Sequence, residues 1–339
     1  MVTIHEVAAR AGVSTATVSR ALNGKSSVDP ALAERVREAA RELGYQRNAL
    51  ARGLRRRKTA QWALVIADIE NPFFTAMARG VEDVAQAAGY SVLLCNSDEN
   101  RAKERQYLDV AVQDRVAGVI LAPTSTETDA SLLAEHEIPV VAIDRPLRHT
   151  PADTVLVGSR EGARTAAEHL LASGYRRLGC VTGPAGVQTA DERLAGYYDA
   201  LAVAGLPRPG PGEDDPRVRR CDFKVAGARA AGAALLDGPD RPDALFVASG
   251  LMVLGVLQAM RERGLRAGRD VGLVAFDDTP WTPLLDPPLS VIAQPAREVG
   301  RVAARLLLDR LRSGQEKRPA RTVTLGTELV VRASSRRAP

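Results

Sequence analysis

Thr15, Ala16, Ser19 and Arg20 fall on one side of a short stretch that begins after Ser14. Short side chains let a helix approach the floor of a groove, and a single arginine can hold guanine bidentately. This spacing therefore suits the reading of base edges in a major groove. A second set of candidates stands where apolar runs stop: Asp68-Ile69-Glu70-Asn71-Pro72-Phe73-Phe74, Asp144-Arg145, Ser249-Gly250 and Asp277-Asp278. Carboxylates and guanidinium groups gathered at such ends can hold the hydroxyls of a polar ligand, with aromatic rings as apolar walls. Other chemistries lack their residues. The histidines at positions 5, 136, 149 and 169 show no zinc spacing, and Gly183-Pro184-Ala185-Gly186 lacks the Lys-Ser/Thr that completes a phosphate loop. No nucleophile–base pair or cofactor loop appears, which leaves acid–base work by Asp144 and Asp277 as the enzymatic alternative.

These residues need elements to hold them. Thr3-Ile4-His5-Glu6 fits a capping box, and the helix it opens carries Val7, Ala8 and Ala11 on one face before stopping at Gly12. Ser14 caps a second helix running to about Leu22, with Val18 and Leu22 inward and Asn23-Gly24 at its end. Asp29-Pro30 opens a third, whose stripe is Leu32, Val36, Ala39, Ala40 and Leu43, closed by Gly44. Two short helices joined by a glycine-containing turn and braced by a third make the helix-turn-helix pattern, although any small three-helix domain can use it for protein contacts. Beyond Gly44, Asn48 can cap a short helix carrying Ala51 and Leu54 among arginines. So short a helix is marginal in water. Arginines around one bulky apolar side chain suit minor-groove kinking, and a flexible basic linker is the plain alternative.

From Trp62 onward, short apolar strands alternate with amphipathic helices. The first series is 63–66, helix 75–88, 91–94, helix 102–115, 118–121 and 140–143. A second begins near Gly162 with 178–181, helix 191–204, helix 223–236, 244–247, helix 251–263 and 271–276. Two such series predict an α/β body of two lobes built on two doubly wound parallel sheets, with ligands at the carboxyl ends of the strands.

The ordered motifs Thr3-Ile4-His5-Glu6-Val7-Ala8, Gly12-Val13-Ser14, Thr17-Val18-Ser19-Arg20-Ala21-Leu22-Asn23 and Ala49-Leu50-Ala51-Arg52-Gly53-Leu54 resemble the headpiece and hinge helix of the lactose-repressor/galactose-repressor (LacI/GalR) family. The resemblance implies that Thr15, Ala16 and Arg20 read bases and that Ser14, Thr17, Ser19, Asn23 and Tyr45 complete the DNA-facing surface. It also implies that Leu54, flanked by Ala51 and Arg55, wedges into the operator centre. Arg47 departs from the family, which usually has Pro there, and so does Gly53, where a small polar residue or Ala is common. Glycine costs about 1 kcal/mol of helix stability relative to alanine.

The body resembles the family's effector domain, which shares its fold with periplasmic sugar-binding proteins. By that resemblance Asp144, Arg145 and Arg193 hydrogen-bond a carbohydrate-like effector, Phe73 or Phe74 supplies an apolar wall, and Asp277 reaches in from the facing lobe. Asn71, Ser249 and Trp281 belong to the same expected cleft. Plainer readings stand beside these: Asp277-Asp278 as a turn cap, Arg193 as a surface ion-pair partner, Phe73-Phe74 as core, and Trp281 as cover for a lobe edge. The family usually carries Asn-Asp where Ser249-Gly250 stand, and Asp-Asn where Gly158-Ser159 stand. Smaller residues at both places point to a ligand larger than a simple monosaccharide or different in polarity, or to a weakened response.

Charge follows the same division. The 339 residues carry a net charge of +5, but the first sixty hold twelve Lys and Arg against five acids, or +7, leaving −2 for the rest. A basic head on a near-neutral body suggests a nucleic-acid reader joined to a sensor. The expected organisation is a headpiece at 1–46, a hinge helix at 47–59 and a body at 60–339. Within the body, one lobe is expected at about 60–158 and 291–321, the other at about 159–290 and 322–339. A composition 45% hydrophobic and 26% charged excludes a disordered or collagenous chain. No apolar run approaches the ~18 residues that span a bilayer. The N-terminus lacks a signal-peptide pattern, and Cys95 and Cys180 sit in apolar runs, as befits reduced cytoplasmic thiols rather than a disulfide framework.

These readings converge on a cytoplasmic, sequence-specific transcriptional regulator, expected to be a repressor, with no cofactor and no membrane partner. It would bind a pseudo-palindromic operator as a homodimer, one recognition helix per half-site, under population control by a small polar effector. Tetrameric relatives append a leucine-heptad helix, whereas this sequence ends with Val330-Val331-Arg332 and a short polar tail, so a dimer is expected. A sugar receptor without a DNA role is the rival that the basic head opposes. Replacing Arg20 with Ala is expected to cost about 1–3 kcal/mol of operator binding, concentrated at one base pair per half-site. Titration against a panel of operator variants measures this, and a loss spread evenly over all sequences would contradict base reading.

Overall fold

Trp62, Leu64 and Ile66 turn to one face of β1 (Gln61–Ile66) and Ala63 and Val65 to the other, and all five are fully buried. A parallel strand covered on both faces reads as an unbroken apolar run, which is why this strand and its neighbours stand out in the sequence. The computed structural model describes residues 2–22, 27–45, 59–207, 214–313 and 318–337. Two compact units divide the chain, Met1–Thr59 and Ala60–Pro339. Among the expected site residues, Asn23, Ala51, Leu54 and Arg55 lie outside the described residues, as do Arg47 and Gly53.

The first unit contains α1 (Ile4–Ala11), α2 (Thr15–Leu22) and α3 (Pro30–Glu42). Thr3 and Glu6 form the expected capping box, and Asp29 caps α3 with Pro30 at its first position. Val7, Ala8, Ala11, Val18, Ala21, Ala33, Val36, Ala39 and Ala40 make its core. Leu32 and Leu22 are only half-buried, because Ala33 and Ala21 take the inward positions expected of them.

The second unit begins with β1, α4 (Pro72–Ala87), β2 (Ser91–Asn96), α5 (Arg101–Gln113), β3 (Gly118–Leu121), α6 (Ser131–Glu135), β4 (Val140–Ile143) and β5 (Asp153–Val157). It continues with α7 (Ser159–Ala172), β6 (Leu178–Thr182), α8 (Gln188–Val203), β7 (Val218–Arg220), α9 (Val225–Leu236), β8 (Ala244–Val247), α10 (Gly250–Glu262) and β9 (Gly272–Phe276). The chain closes with β10 (Ser290–Ala293), α11 (Ala296–Ser313), β11 (Thr322–Leu325) and β12 (Glu328–Val330). One six-stranded sheet has the order β11-β5-β4-β3-β1-β2, the other β12-β10-β9-β8-β6-β7. All pairings are parallel except β10 with β12. The two lobes thus repeat one strand order, with the reversal at β1/β3 in the first and β6/β8 in the second. Such a reversal is where doubly wound sheets bind ligands.

Sheet membership corrects the expected lobe boundaries. β10 pairs with β9, so the second crossing between lobes lies after Ala293 rather than near 291. β11 pairs with β5, so the third lies between Leu325 and Glu328 rather than near 322. An apolar run does not reveal which sheet will take it. The strand β5 escaped the alternating pattern for a related reason: it follows β4 with no helix between them. α4 begins at Pro72 rather than Thr75, because Asn71 caps it and Pro72 occupies its first turn.

α11 crosses back to lie on α4 in the first lobe, as α7 lies on α8 in the second. These crossings depend on glycine. A Cβ on Gly80 would stand 2.0 Å from the Arg297 carbonyl oxygen, one on Gly300 2.1 Å from that of Met77, and one on Gly196 2.0 Å from that of Arg160. Helix backbones cannot yield that far. Gly80→Ala is therefore expected to lower the unfolding free energy by about 1–3 kcal/mol, measured by chemical denaturation. A change within error would show that the helices can separate at no cost.

Candidate functional site

The headpiece presents α2 outward. Ala16 and Arg20 are exposed, while Thr15, Thr17 and Ser19 are half-exposed. Ser14 and Thr17 are engaged locally: the Thr17 N–H donates to Ser14 Oγ at 3.1 Å, and the two hydroxyls lie 2.9 Å apart. Tyr45 packs half-buried against the headpiece core. Three α3 arginines that contribute to the basic charge of the head also serve the fold itself. Arg35 Nη2 donates to the Ala11 carbonyl at 2.7 Å, which closes the end of α1, and Arg37 and Arg41 share Glu34 at 2.6 and 3.2 Å.

In the body, strand ends gather the polar groups. Asp144 follows β4 and Asp277 follows β9, topologically matching strands of the two sheets. Their amides donate alike to Val155 and Ile292 carbonyls, at 3.1 and 2.9 Å. Both take left-handed backbone, at φ 66° and 72°. A non-glycine residue in that region is strained by of order 1–3 kcal/mol, and such strain concentrates at functional positions.

Arg145 is 3% exposed. It grips Glu99 with two bonds of 2.7 and 2.6 Å and donates to the Pro123 and Thr124 carbonyls at 3.1 and 3.3 Å. Its Nε lies 3.4 Å from Asp144 Oδ2, the one close polar partner that the Asp144 carboxylate has among the described residues. Burial raises the Asp144 carboxyl above its ordinary range, against the pull of Arg145 and Arg193. Burial alone would lower Arg145, but Glu99 and Asp144 more than offset it. Glu104, beneath this cluster, accepts from the Thr124 amide and the Thr124 and Thr128 hydroxyls at 2.6, 3.1 and 2.8 Å, fixing the loop whose carbonyls hold Arg145.

Arg193 is buried, so its plain reading as a surface ion-pair partner fails. Its Nη1 donates to the Ala248 carbonyl at 2.7 Å and its Nε to Ser159 Oγ at 3.3 Å, and its guanidinium lies 4.0 Å over the Phe276 ring. Burial lowers its pKa, opposed by the negative charges of Asp277 and Asp144. Asp277 accepts from the Gly250 amide at 2.9 Å and from Gln294 Nε2 at 2.5 Å. Asp278 instead is structural: Arg332 forks onto it at 2.9 and 2.7 Å, and Thr282 donates at 2.5 Å.

Gly250 changes the argument for a wide cleft. A Cβ there would stand 2.8 Å from that of Asp277, so the glycine seats the aspartate and opens no room. Ser249 Oγ is buried without a partner. Asn71 uses its Oδ1 to cap α4 at 3.1 Å, which leaves its amide nitrogen for a ligand. Phe73 and Phe74 stack edge-to-face, 5.2 Å apart, within the first lobe's core. Trp281 is half-buried against the second lobe's core. Glu99, Gln294 and Phe276 are additions that the sequence did not signal, since none belongs to a motif and each matters only through a partner distant in the chain.

Residues 3–48 match the profile described as bacterial regulatory proteins, lacI family, and residues 167–335 match a periplasmic binding protein-like domain. The chain is 37% identical to the ribose operon repressor of Halalkalibacterium halodurans, over 99% of this chain and 98% of that protein. A solved complex of the transcriptional regulator CelR with cellobiose is 32% identical, with TM-score 0.73, covering 98% of this chain and all of that one. The lac repressor dimer bound to operator and the anti-inducer ONPF is 26% identical, with TM-score 0.86, covering 98% and 99% of the two chains. Among the described residues no helix is long and apolar enough to cross a membrane. With a helix-turn-helix unit ahead of a two-sheet body, and similarity that runs the length of both, the chain belongs to the LacI family of transcriptional regulators and not to a family of enzymes.

Proposed function

We propose that this protein represses transcription as a homodimer on a pseudo-palindromic operator, and that an uncharged monosaccharide held between the two lobes modulates it. The observation that carries the effector reading is a set of buried polar atoms without hydrogen-bond partners. Among the described residues, five such side-chain atoms occur, and three of them, Arg145 Nε, Ser249 Oγ and Thr279 Oγ1, lie just past the carboxyl ends of β4, β8 and β9. Buried donors and acceptors are normally satisfied, so exceptions at three strand ends support the reading that ligand hydroxyls complete the network there. Asp144 and Asp277 would accept from those hydroxyls, Arg145 and Arg193 would donate, and Phe73 or Phe74, with Trp281, would face apolar parts of the ring. Asn71 would donate through its amide.

The surrounding carboxylates oppose a phosphorylated ligand. The relative named as a ribose operon repressor makes D-ribose the first sugar to try, since Gly250 gives no added space for a larger one. On DNA, Thr15, Ala16 and Arg20 would read bases, supported by Ser14, Thr17, Ser19, Asn23 and Tyr45. Ala51, Leu54 and Arg55 would act in the minor groove. Effector binding would shift the lobes and so the pairing of the two hinge segments.

Calorimetry of the full chain with D-ribose, other aldoses, cellobiose and ribose 5-phosphate tests the ligand class, with operator gel shifts in parallel. The expected result is saturable binding of a free aldose that changes operator affinity. Preference for the phosphate ester would overturn the reading. Asp144 supplies a second test. Because folding raises its pKa, ionising it costs stability progressively as pH rises from about 3.8 through its folded value. Asp144→Asn is expected to raise the unfolding midpoint of the effector-free protein near pH 7, to flatten that pH slope, and to weaken sugar binding. A lower midpoint without sugar would show that the carboxylate stabilises the fold.

A further inference from the structure

Lys224 stands immediately before α9 in the second lobe, yet its ammonium points across to the first. Its Nζ lies 2.9 Å from Asp68 Oδ2 and 3.0 Å from Asp98 Oδ1. These carboxylates follow β1 and β2, neighbouring strands of the first sheet. One cation from one sheet therefore ties down two anions from the other. Lys224 and Asp68 are partly buried, at 34% and 9% exposure, so solvent screens their contact less than a surface pair, whereas Asp98 is exposed at 43% and its contact is screened more. Burial would lower the lysine pKa, but the two carboxylates raise it. The hydrogen bond from Lys224 holds Asp98 below the usual carboxylate range.

The turn bearing Asp98 connects this contact to the effector site. Asp98 and Glu99 are consecutive and both left-handed, at φ 54° and 53°. Their strain is held by the Glu99 amide on the Ala67 carbonyl at 3.0 Å and by Ser97, whose amide and hydroxyl both donate to the Ile66 carbonyl at 2.9 and 3.1 Å. Backbone so constrained sends adjacent side chains to different tasks: Asp98 to Lys224, Glu99 to the two-pronged contact with Arg145. Arg145 in turn faces Asp144.

We propose that Lys224, with Asp68 and Asp98, is a latch that holds the two lobes together before any effector binds, and that the Asp98–Glu99 turn couples this latch to Arg145 and Asp144. The coupling rests on the effector reading above; the latch does not. A latched chain populates its binding-competent form more fully, so effector affinity rises by the factor through which that population rises. Rigid placement of Glu99 by a latched Asp98 also keeps Arg145 aimed at the ligand.

The test uses the full chain with Lys224→Met, which keeps the aliphatic stem and removes the charge, and Lys224→Arg, which restores it. Hydrogen exchange without sugar is read in the first lobe, away from the substituted residue, over peptides containing Asp68 and Asp98. Faster exchange in Lys224→Met, and in wild type at high salt, with Lys224→Arg like wild type at low salt, is expected. Equal exchange in Lys224→Met and wild type would overturn the latch. Calorimetry with D-ribose is expected to show roughly three- to tenfold weaker binding for Lys224→Met, and equal affinity would overturn the coupling. If neither protein binds D-ribose or another aldose, the effector reading and the coupling fail together, while the exchange result still decides the latch.

Discussion

Parallel strands covered by helices on both faces offer polar side chains no outlet except at their ends. Nearly every property of the body follows from that constraint. β1, β3, β4, β8 and β9 are apolar throughout their buried lengths, and the first charged or hydroxyl groups appear where they stop, at Asp68, Asp144, Ser249 and Asp277. Two sheets of the same strand order, linked by three crossings, bring two such sets of ends into one site. The matching left-handed backbone of Asp144 and Asp277 shows the repetition down to single residues.

Bringing charges together inside a protein is unfavourable unless each finds a partner. The terminal nitrogens of Arg145 are satisfied by Glu99 and two carbonyls, Arg193 by a carbonyl, a serine and an aromatic face, and Asp277 by an amide and a glutamine. Asp144 is the exception. Its carboxylate has only a distant guanidinium edge, so the site is stable as a whole while one of its members waits for hydrogen-bond donors. That imbalance is what supports the proposed binding site over a structural ion-pair network.

The headpiece solves a smaller problem with similar means. Its core is built mostly from alanine and valine, too small to brace three helices by bulk alone. Arg35 on the end of α1, the Arg10–Glu42 pair at 2.6 Å and the shared Glu34 add polar ties around it. Four of the twelve basic residues of the head, Arg10, Arg35, Arg37 and Arg41, therefore also hold the unit together.

Local signals were enough to read the headpiece helices, their caps, and most strands and helices of the body. Capping boxes, Asp-Pro starts and continuous apolar runs act over a few residues, and their effect does not wait for the rest of the chain. The same holds for the candidate site residues at strand ends, which the alternation of elements exposes. Tertiary structure decided what local signals do not encode: the membership of β10 and β11, the strand β5, the filling of the Gly250 space by Asp277, and the contacts of Glu99, Gln294 and Lys224. Each of these depends on partners brought from far along the chain, as in the 126 residues that separate Lys224 from Asp98. Helix and strand identity is settled by neighbours in sequence, whereas pairing, burial and charge compensation are settled by neighbours in space.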